Sequence, residues 1–308
     1  MKIVLQAAPI SQPFCDWIDE EGYDRLIIES EKDIPAHTFP HIVGIVTSNK
    51  LHLTEHFLQR CSSIKWIARM GSGMEIVDTA YTNQMGIATF SSPTGIANSV
   101  AEHTVGMMLA LRHRIYQSMT EISHSQWIRE PNRGMELENL RVGIIGYGHT
   151  GSAFASKLRV FTPTIFAYDK YKKGFGNDYV KESSLSELFL TCDVISFHVP
   201  LNDETYHYYN QSFMDSMTTP HMLINTSRGK VCDTSVILKG LQQGKIWGAC
   251  LDVLEEESDI QDTLLREHNI VEQLLKLNVI LTPHIAGYSH EATIKMSEEL
   301  MNQLKSIH

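Results

Sequence analysis

The stretch VGIIGYGHTGSAFASKL at 142–158 constrains this chain more than any other. An apolar run delivers the backbone to Gly146, Gly148 and Gly151 in the spacing G-x-G-x-x-G, and a helix-forming segment follows. The first glycine allows a tight turn, the second lets backbone approach a pyrophosphate, and the third permits close helix–strand contact. The helix N-terminus that follows offers its amides and its positive dipole end to the phosphates. A glycine loop alone is a weak signal, shared with nucleotide-free folds and S-adenosylmethionine sites. Here the next apolar run, TIFAYD, ends in Asp169, eighteen residues beyond Gly151. An acid at that place accepts hydrogen bonds from ribose hydroxyls and repels a 2′-phosphate, which favours NAD over NADP. Lys170, Lys172 and Lys173 leave room for NADP tolerance, although a solvated turn is the simpler reading.

Around this loop the chain alternates. Short apolar runs (KIVLQ, RLIIE, HIVGIV, SIKWIA) recur through the first ninety or so residues, separated by polar helical stretches. A long helix is expected to begin at Ser99 in SVAEHTVGMMLALRHRIYQSM, where Glu102 completes a capping box. Stronger strands follow: RVGIIG, TIFAYD, CDVISFHVP, HMLINTS, IWGACLDVL and NVILTPH, with helices capped at Ser184 and Asp233. Apolar strands alternating with amphipathic helices imply parallel sheets covered on both faces. We expect two α/β domains with Rossmann-like or flavodoxin-like parallel sheets, divided near residue 98 at the turn cluster SSPTG. The last helix, HEATIKMSEELMNQLKSIH, could pack on either domain.

Composition excludes several functions. A formal charge of −10 and the absence of any long Lys/Arg block argue against a nucleic-acid surface. Five widely spaced cysteines, none in a C-x-x-C pair, read as reduced buried thiols rather than disulfides or a metal site. The opening MKIVLQAAPI is too short in apolar content for a signal peptide, and no apolar run approaches a membrane span. A cytoplasmic protein without membrane partners is expected.

In a doubly wound sheet, ligands bind at the carboxyl ends of the strands. HMLINTS ends at Ser227 and is followed by Arg228. WGACLDVL passes Asp252 into Glu255, Glu256 and Glu257, and NVILTP ends at His284. Each residue has a plain structural role open to it: a surface ion pair, a solvated turn, a capping side chain. Together they suit hydride transfer to or from a carbon bearing a hydroxyl, because a proton must move on the oxygen at the same time. Histidine can carry that proton near neutral pH, a carboxylate can orient the imidazole, and a guanidinium can hold a substrate carboxylate and polarise its carbonyl.

The segments GIIGYGHTG, HVPLNDET, NTSRGKVCDTSVILKGLQQGKIWGACLDVLEEE and LTPHIAGYS resemble the D-isomer-specific 2-hydroxyacid dehydrogenase family over nearly all of residues 65–290. The resemblance implies an NAD-dependent oxidoreductase with catalytic Arg228, Glu257 and His284. Glu257 is chosen from the three acids because it stands five residues after Asp252. It further implies cofactor contacts from Tyr147 to Thr150 and from Asp169, His198, Val199, Pro200, Thr205, Thr226, Ser227, Arg228, Asp252, His284 and Ala286. Loop amides at Met70, Gly71, Ser72 and Gly73 would hold the substrate carboxylate, with Arg228 and His284 beside it. The family arrangement returns 285–308 to the first domain, giving 1–98 with 285–308 for substrate and 99–284 for NAD, and an active site in the cleft between them.

Departures qualify the substrate. Ser258 stands where relatives have proline, which loosens the turn after the glutamates. Arg69 resembles an arginine that phosphoglycerate dehydrogenases place near the substrate phosphate, making 3-phosphoglycerate the leading candidate. The companion arginine is missing from GIVTSNK, though Lys50 is near, and Arg129 and Arg133 could add charge. No regulatory domain of the kind some phosphoglycerate dehydrogenases carry is expected. Two other readings stand beside this one: an NAD-sensing corepressor, which could retain the three residues, and a formate-dehydrogenase-like enzyme, in which glutamine accompanies the histidine and which Glu257 disfavours. The Met-rich helix resembles the segment through which this family dimerises, so a homodimer is expected, with a core-facing helix as the alternative.

Overall fold

Every apolar run named above forms a strand, and all the strands pair in parallel. The structure, a computed structural model, describes residues 2–161, 164–255, 257 and 269–307. Glu256 and Ser258 lie outside the described residues. The chain divides into two compact units, Met1–Ser99 with Gly287–His308, and Val100–Ala286.

The first unit holds a five-stranded sheet in the order β2-β1-β3-β4-β5, formed by Ile3–Ala7 (β1), Asp24–Ile27 (β2), Ile42–Thr47 (β3), Trp66–Arg69 (β4) and Ala88–Ser91 (β5). β1 and β3 are buried along their whole length, as parallel strands covered on both faces must be. The last helix, His290–Lys305, places Ala292, Met296, Leu300 and Leu304 against Val4, Phe14 and Trp66, so it belongs to this unit.

The second unit holds seven strands in the order β12-β11-β10-β9-β6-β7-β8. They are Arg141–Ile145 (β6), Thr164–Tyr168 (β7), Val180–Glu182 (β8), Val194–Phe197 (β9), His221–Asn225 (β10), Ile246–Leu251 (β11) and Val279–Leu281 (β12). The order reverses between β6 and β9, the switch point where doubly wound sheets bind ligands. Ser184 and Asp233 cap their helices, accepting from the N–H groups of Glu187 and of Ser235 and Val236 respectively.

The long helix departs from expectation. It runs Pro93–Arg112, so Ser99 lies in its interior and Glu102 pairs with Lys157 at 3.2 Å instead of closing a capping box. Proline serves well at the first helical position, where no N–H partner is needed. Met107 and Met108 are buried in the core of the second unit, and a separate helix, Ile115–Ser123, follows. Two strands, β5 and β8, were not marked by strong apolar runs; each lies at a sheet edge. No described helix is long and apolar enough to cross a membrane.

Candidate active site at the strand ends of the second unit

The glycine loop leaves β6 with Gly146 at φ 91°, its N–H bonded to Tyr168 O at 2.8 Å. A side chain at Gly146 would collide with the main-chain oxygen of His198, and one at Gly151 would lie 2.0 Å from the Gly146 oxygen. At Gly148, the N-cap of helix His149–Leu158, a Cβ would meet nothing within 4 Å. The loop is therefore closed against protein on two sides and open at its middle glycine, the arrangement a pyrophosphate needs at a helix N-terminus.

Asp169 follows β7. Its Oδ2 accepts from Tyr147 N–H at 2.8 Å, and its Oδ1 from the N–H groups of Tyr171 and Lys172, both at 2.9 Å. Burial opposes its charge, but the Lys172, Tyr147 and Tyr171 amides outweigh it and hold the carboxyl below its usual range. It is thus a fixed anion beside the loop, able to accept from a ribose hydroxyl through its remaining lone pairs. The neighbouring lysines are engaged with the protein: Lys170 with Glu204 at 2.8 Å, Lys172 with Tyr147 O of the glycine loop at 3.3 Å and Lys173 with Asp169 O at 3.1 Å.

Across the switch point, His198 N–H bonds Ile145 O at 2.8 Å, while the ring is buried, bonded to Ser196 Oγ at 2.9 Å and packed on Phe154. Val199 and Pro200 continue from it, and the Thr205 hydroxyl donates to Pro200 O at 2.6 Å, so Thr205 shapes that loop. After β10, Thr226 and Ser227 are buried. Asn225 organises the turn, accepting from Ser227 N–H and Oγ and donating to Arg228 O at 2.9 Å. Arg228 is half-buried and its Nη1 donates to Ser227 O at 2.8 Å.

His284 stands just past β12 with φ 56°, a left-handed conformation uncommon for a residue other than glycine. Such backbone costs about 1–3 kcal/mol and persists only where surrounding structure enforces it. Its Nδ1 lies 2.5 Å from Glu257 Oε1, with both side chains roughly a quarter to a third exposed. A carboxylate only accepts, so the imidazole proton shared with it sits on Nδ1, and Nε2 is the nitrogen left to exchange a proton with a ligand. Asp252 is buried and its carboxylate takes the N–H groups of Ile285 and Ala286 at 2.9 and 2.8 Å. The run of glutamates divides: Glu257 reaches His284, whereas Glu255 pairs with His207 and accepts from Thr234 N–H at 3.3 Å. Among the described residues no cluster of His, Cys, Asp and Glu could hold a metal ion.

The loop at 70–73 lies in the first unit. Met70 N–H is donated to Thr47 O and Gly71 N–H to Ser92 Oγ, so these two amides are engaged. Ser72 and Gly73 make no hydrogen bond through their amides within the described residues. Arg69 is buried, with Nη1 on Met70 O and Nη2 on Asn49 Oδ1 at 2.5 Å. Lys50 pairs with Glu29, and Arg133 with Glu130 at 2.7 Å on an exposed surface.

Residues 105–286 match the family model described as D-isomer specific 2-hydroxyacid dehydrogenase, NAD binding domain. The chain belongs to the D-isomer-specific 2-hydroxyacid dehydrogenase family. Its cofactor is NAD, and the glycine loop with Asp169 fits that molecule. Within the family it is 31% identical to a hydroxypyruvate reductase of Thermotoga maritima, over 89% of this chain and 87% of that one. It is 28% identical to a D-3-phosphoglycerate dehydrogenase of Archaeoglobus fulgidus over 99% of this chain, and it spans 58% of that protein's length. A D-lactate dehydrogenase from Aquifex aeolicus complexed with NAD and lactic acid superposes with a TM-score of 0.85 at 29% identity, covering 99% of this chain and 95% of the other. Family motifs point to charged residues at strand ends. They carry no signal for the hydroxyls and buried groups around them, and sequence reasoning missed His103, Thr282 and His207 for that reason.

Proposed function

We propose that this chain is an NAD-dependent dehydrogenase interconverting a D-2-hydroxy acid and its 2-oxo acid. The His284–Glu257 pair carries the reading: a histidine in enforced left-handed backbone, oriented by a carboxylate, at the strand ends of an NAD-binding sheet. Bound NAD supplies the hydride acceptor, or as NADH the donor. In the reductive direction His284 Nε2 gives a proton to the carbonyl oxygen as the hydride arrives at carbon, and in the oxidative direction it takes that proton back. Glu257 holds the ring through Nδ1 and stabilises the imidazolium between turnovers. Arg228 binds the substrate carboxylate and polarises the carbonyl. Support for the loop at 70–73 as a second carboxylate holder narrows to the amides of Ser72 and Gly73.

For the substrate, 3-phosphoglycerate and its 2-oxo partner head the series to be tested, followed by the hydroxypyruvate, glyoxylate and lactate pairs. The phosphate reading leans on Arg69 and Lys50. Both are engaged, with Met70 and Asn49 and with Glu29, so a phosphate would have to displace those partners. A small, uncharged substituent at C3 needs no such exchange.

The test is NADH consumption by purified protein offered 3-phosphohydroxypyruvate, hydroxypyruvate, glyoxylate and pyruvate. We expect at least one acid to be reduced, and His284→Ala to lower kcat by about a hundredfold or more. No turnover with any acid of the series, or a variant as active as the wild type, would overturn the reading.

A further inference from the structure

The bonds that hold His284 in its conformation converge on one buried carboxylate. Asp252 is 1% exposed. Its Oδ1 accepts from the Thr282 hydroxyl at 2.6 Å and from Ile285 N–H at 2.9 Å, and its Oδ2 from Ala286 N–H at 2.8 Å. Its main-chain oxygen accepts His284 N–H at 2.8 Å. Residues before and after His284 are therefore tied to the same residue.

The Thr282 hydroxyl also lies 3.9 Å from Met107 Sδ, a weak acceptor, and it has one further nitrogen partner whose role is determined. A hydroxyl has a single proton, and the charged carboxylate at 2.6 Å takes it. The Thr282 oxygen must then accept from His103 Nε2, 3.0 Å away. His103 therefore carries a proton on Nε2, which also lies 3.6 Å from Asp252 Oδ1. His103 stands on helix Pro93–Arg112, and the next residue, Thr104, bonds the Thr226 hydroxyl at 3.1 Å in the turn that leads to Arg228. One helix thus grips both turns through adjacent side chains.

We propose that His103 is a positioning residue for His284, acting through Thr282 and Asp252. Its Nε2–H aims the Thr282 hydroxyl at Asp252, and Asp252 fixes the turn 282–286 in which the His284 ring meets Glu257. The kinetic arm of this inference rests on the dehydrogenase reading; a second arm does not.

The experiment compares His103→Leu, His103→Gln and Thr282→Val with the wild type. Leucine removes the donor, glutamine restores an N–H near the place of Nε2, and valine removes only the hydroxyl. With the best 2-oxo acid, His103→Leu and Thr282→Val are each expected to lower kcat about tenfold through misplacement of the acid, while KM for NADH stays within about twofold of the wild type. His103→Gln should recover most of the loss. The Leu/Val double variant should be no worse than Thr282→Val, because both changes break one chain of bonds. Hydrogen exchange at the Ile285 and Ala286 amides should quicken in His103→Leu and Thr282→Val and return toward wild type in His103→Gln. Unchanged exchange in both His103→Leu and Thr282→Val overturns the inference, as do additive kinetic losses or a glutamine variant that behaves like leucine. Should the wild type reduce no acid, the dehydrogenase reading fails by itself and exchange still decides the role of His103.

Discussion

At Gly151 a methyl group would sit 2.0 Å from the Gly146 oxygen, whereas at Gly148 it would meet nothing within 4 Å. The two glycines of one motif therefore answer different demands, one from the fold and one from the ligand. Gly148→Ala should fold with a loss of at most about 1 kcal/mol, the cost of a poorer N-cap, yet raise KM for NADH about tenfold by filling the pyrophosphate's approach. Gly151→Ala should lose about 1–3 kcal/mol or more because backbone must move. Urea denaturation and NADH titration separate the pair; equal stability losses in the two variants would refute the assignment. The positions of the proposed catalytic residues were largely legible at this scale. Arg228 and His284 end strands, and a strand end in a parallel sheet is a place that sequence can locate. Choosing Glu257 from three consecutive acids required a spacing learned from relatives, and its contact with His284 required coordinates. Thr282 and His103 carried no signal, because a hydroxyl and a helical histidine become partners only once a helix is packed beneath the strand ends.

Among the elements, the central strands were plain because parallel strands buried on both faces are nearly continuous apolar runs. The edge strands β5 and β8 are short and partly polar, and only a neighbour's hydrogen bonds make them strands. The start of the long helix was hidden by a glycine. Gly95 reads as part of a turn, yet a Cβ there would lie 2.6 Å from the Met296 backbone nitrogen, so it is glycine to admit helix His290–Lys305. Strands β9 and β10 carry a further consequence. His198, just after β9, and His221, the first residue of β10, are buried, and burial pushes them down to about 3 and about 4. The unfolded chain binds these protons near the ordinary histidine value of about 6.5, while the native state does not. Stability is therefore whole above about pH 6.5 and falls as pH drops below it, by about 2 kcal/mol per histidine at about pH 5. Urea midpoints measured from pH 7.5 down to 5 should show this slope, and His221→Gln should reduce it. A midpoint independent of pH across that window would show that the two rings protonate within the fold.

The whole molecule carries an apolar surface that its own cores do not cover. Helix Ile115–Ser123 leaves Ile115, Tyr116, Met119 and Ile122 about half or more exposed, and Trp127, just beyond it, is 82% exposed. The Met-rich segment 99–119 expected to pair two chains divides: Met107 and Met108 are buried in the core of the second unit, whereas Tyr116 and Met119 lie on the exposed face of the next helix. Contiguous exposed apolar side chains of this kind are uncommon on monomers and mark interaction sites. We propose that a second copy of the chain covers them, in line with the family resemblance and with a two-fold arrangement in which one patch meets itself. In that geometry each substitution acts twice, so Met119→Glu with Ile122→Glu would bring four carboxylates into one contact and expose side chains worth about 1.5–3 kcal/mol each when buried. Light scattering should give twice the chain mass for the wild type and the single-chain mass for the double variant. Circular dichroism should be unchanged between them, because neither side chain contributes to a core. A wild type of single-chain mass would leave the helix without a partner and the dimer refuted. A double variant that remains dimeric would move the contact elsewhere on the surface.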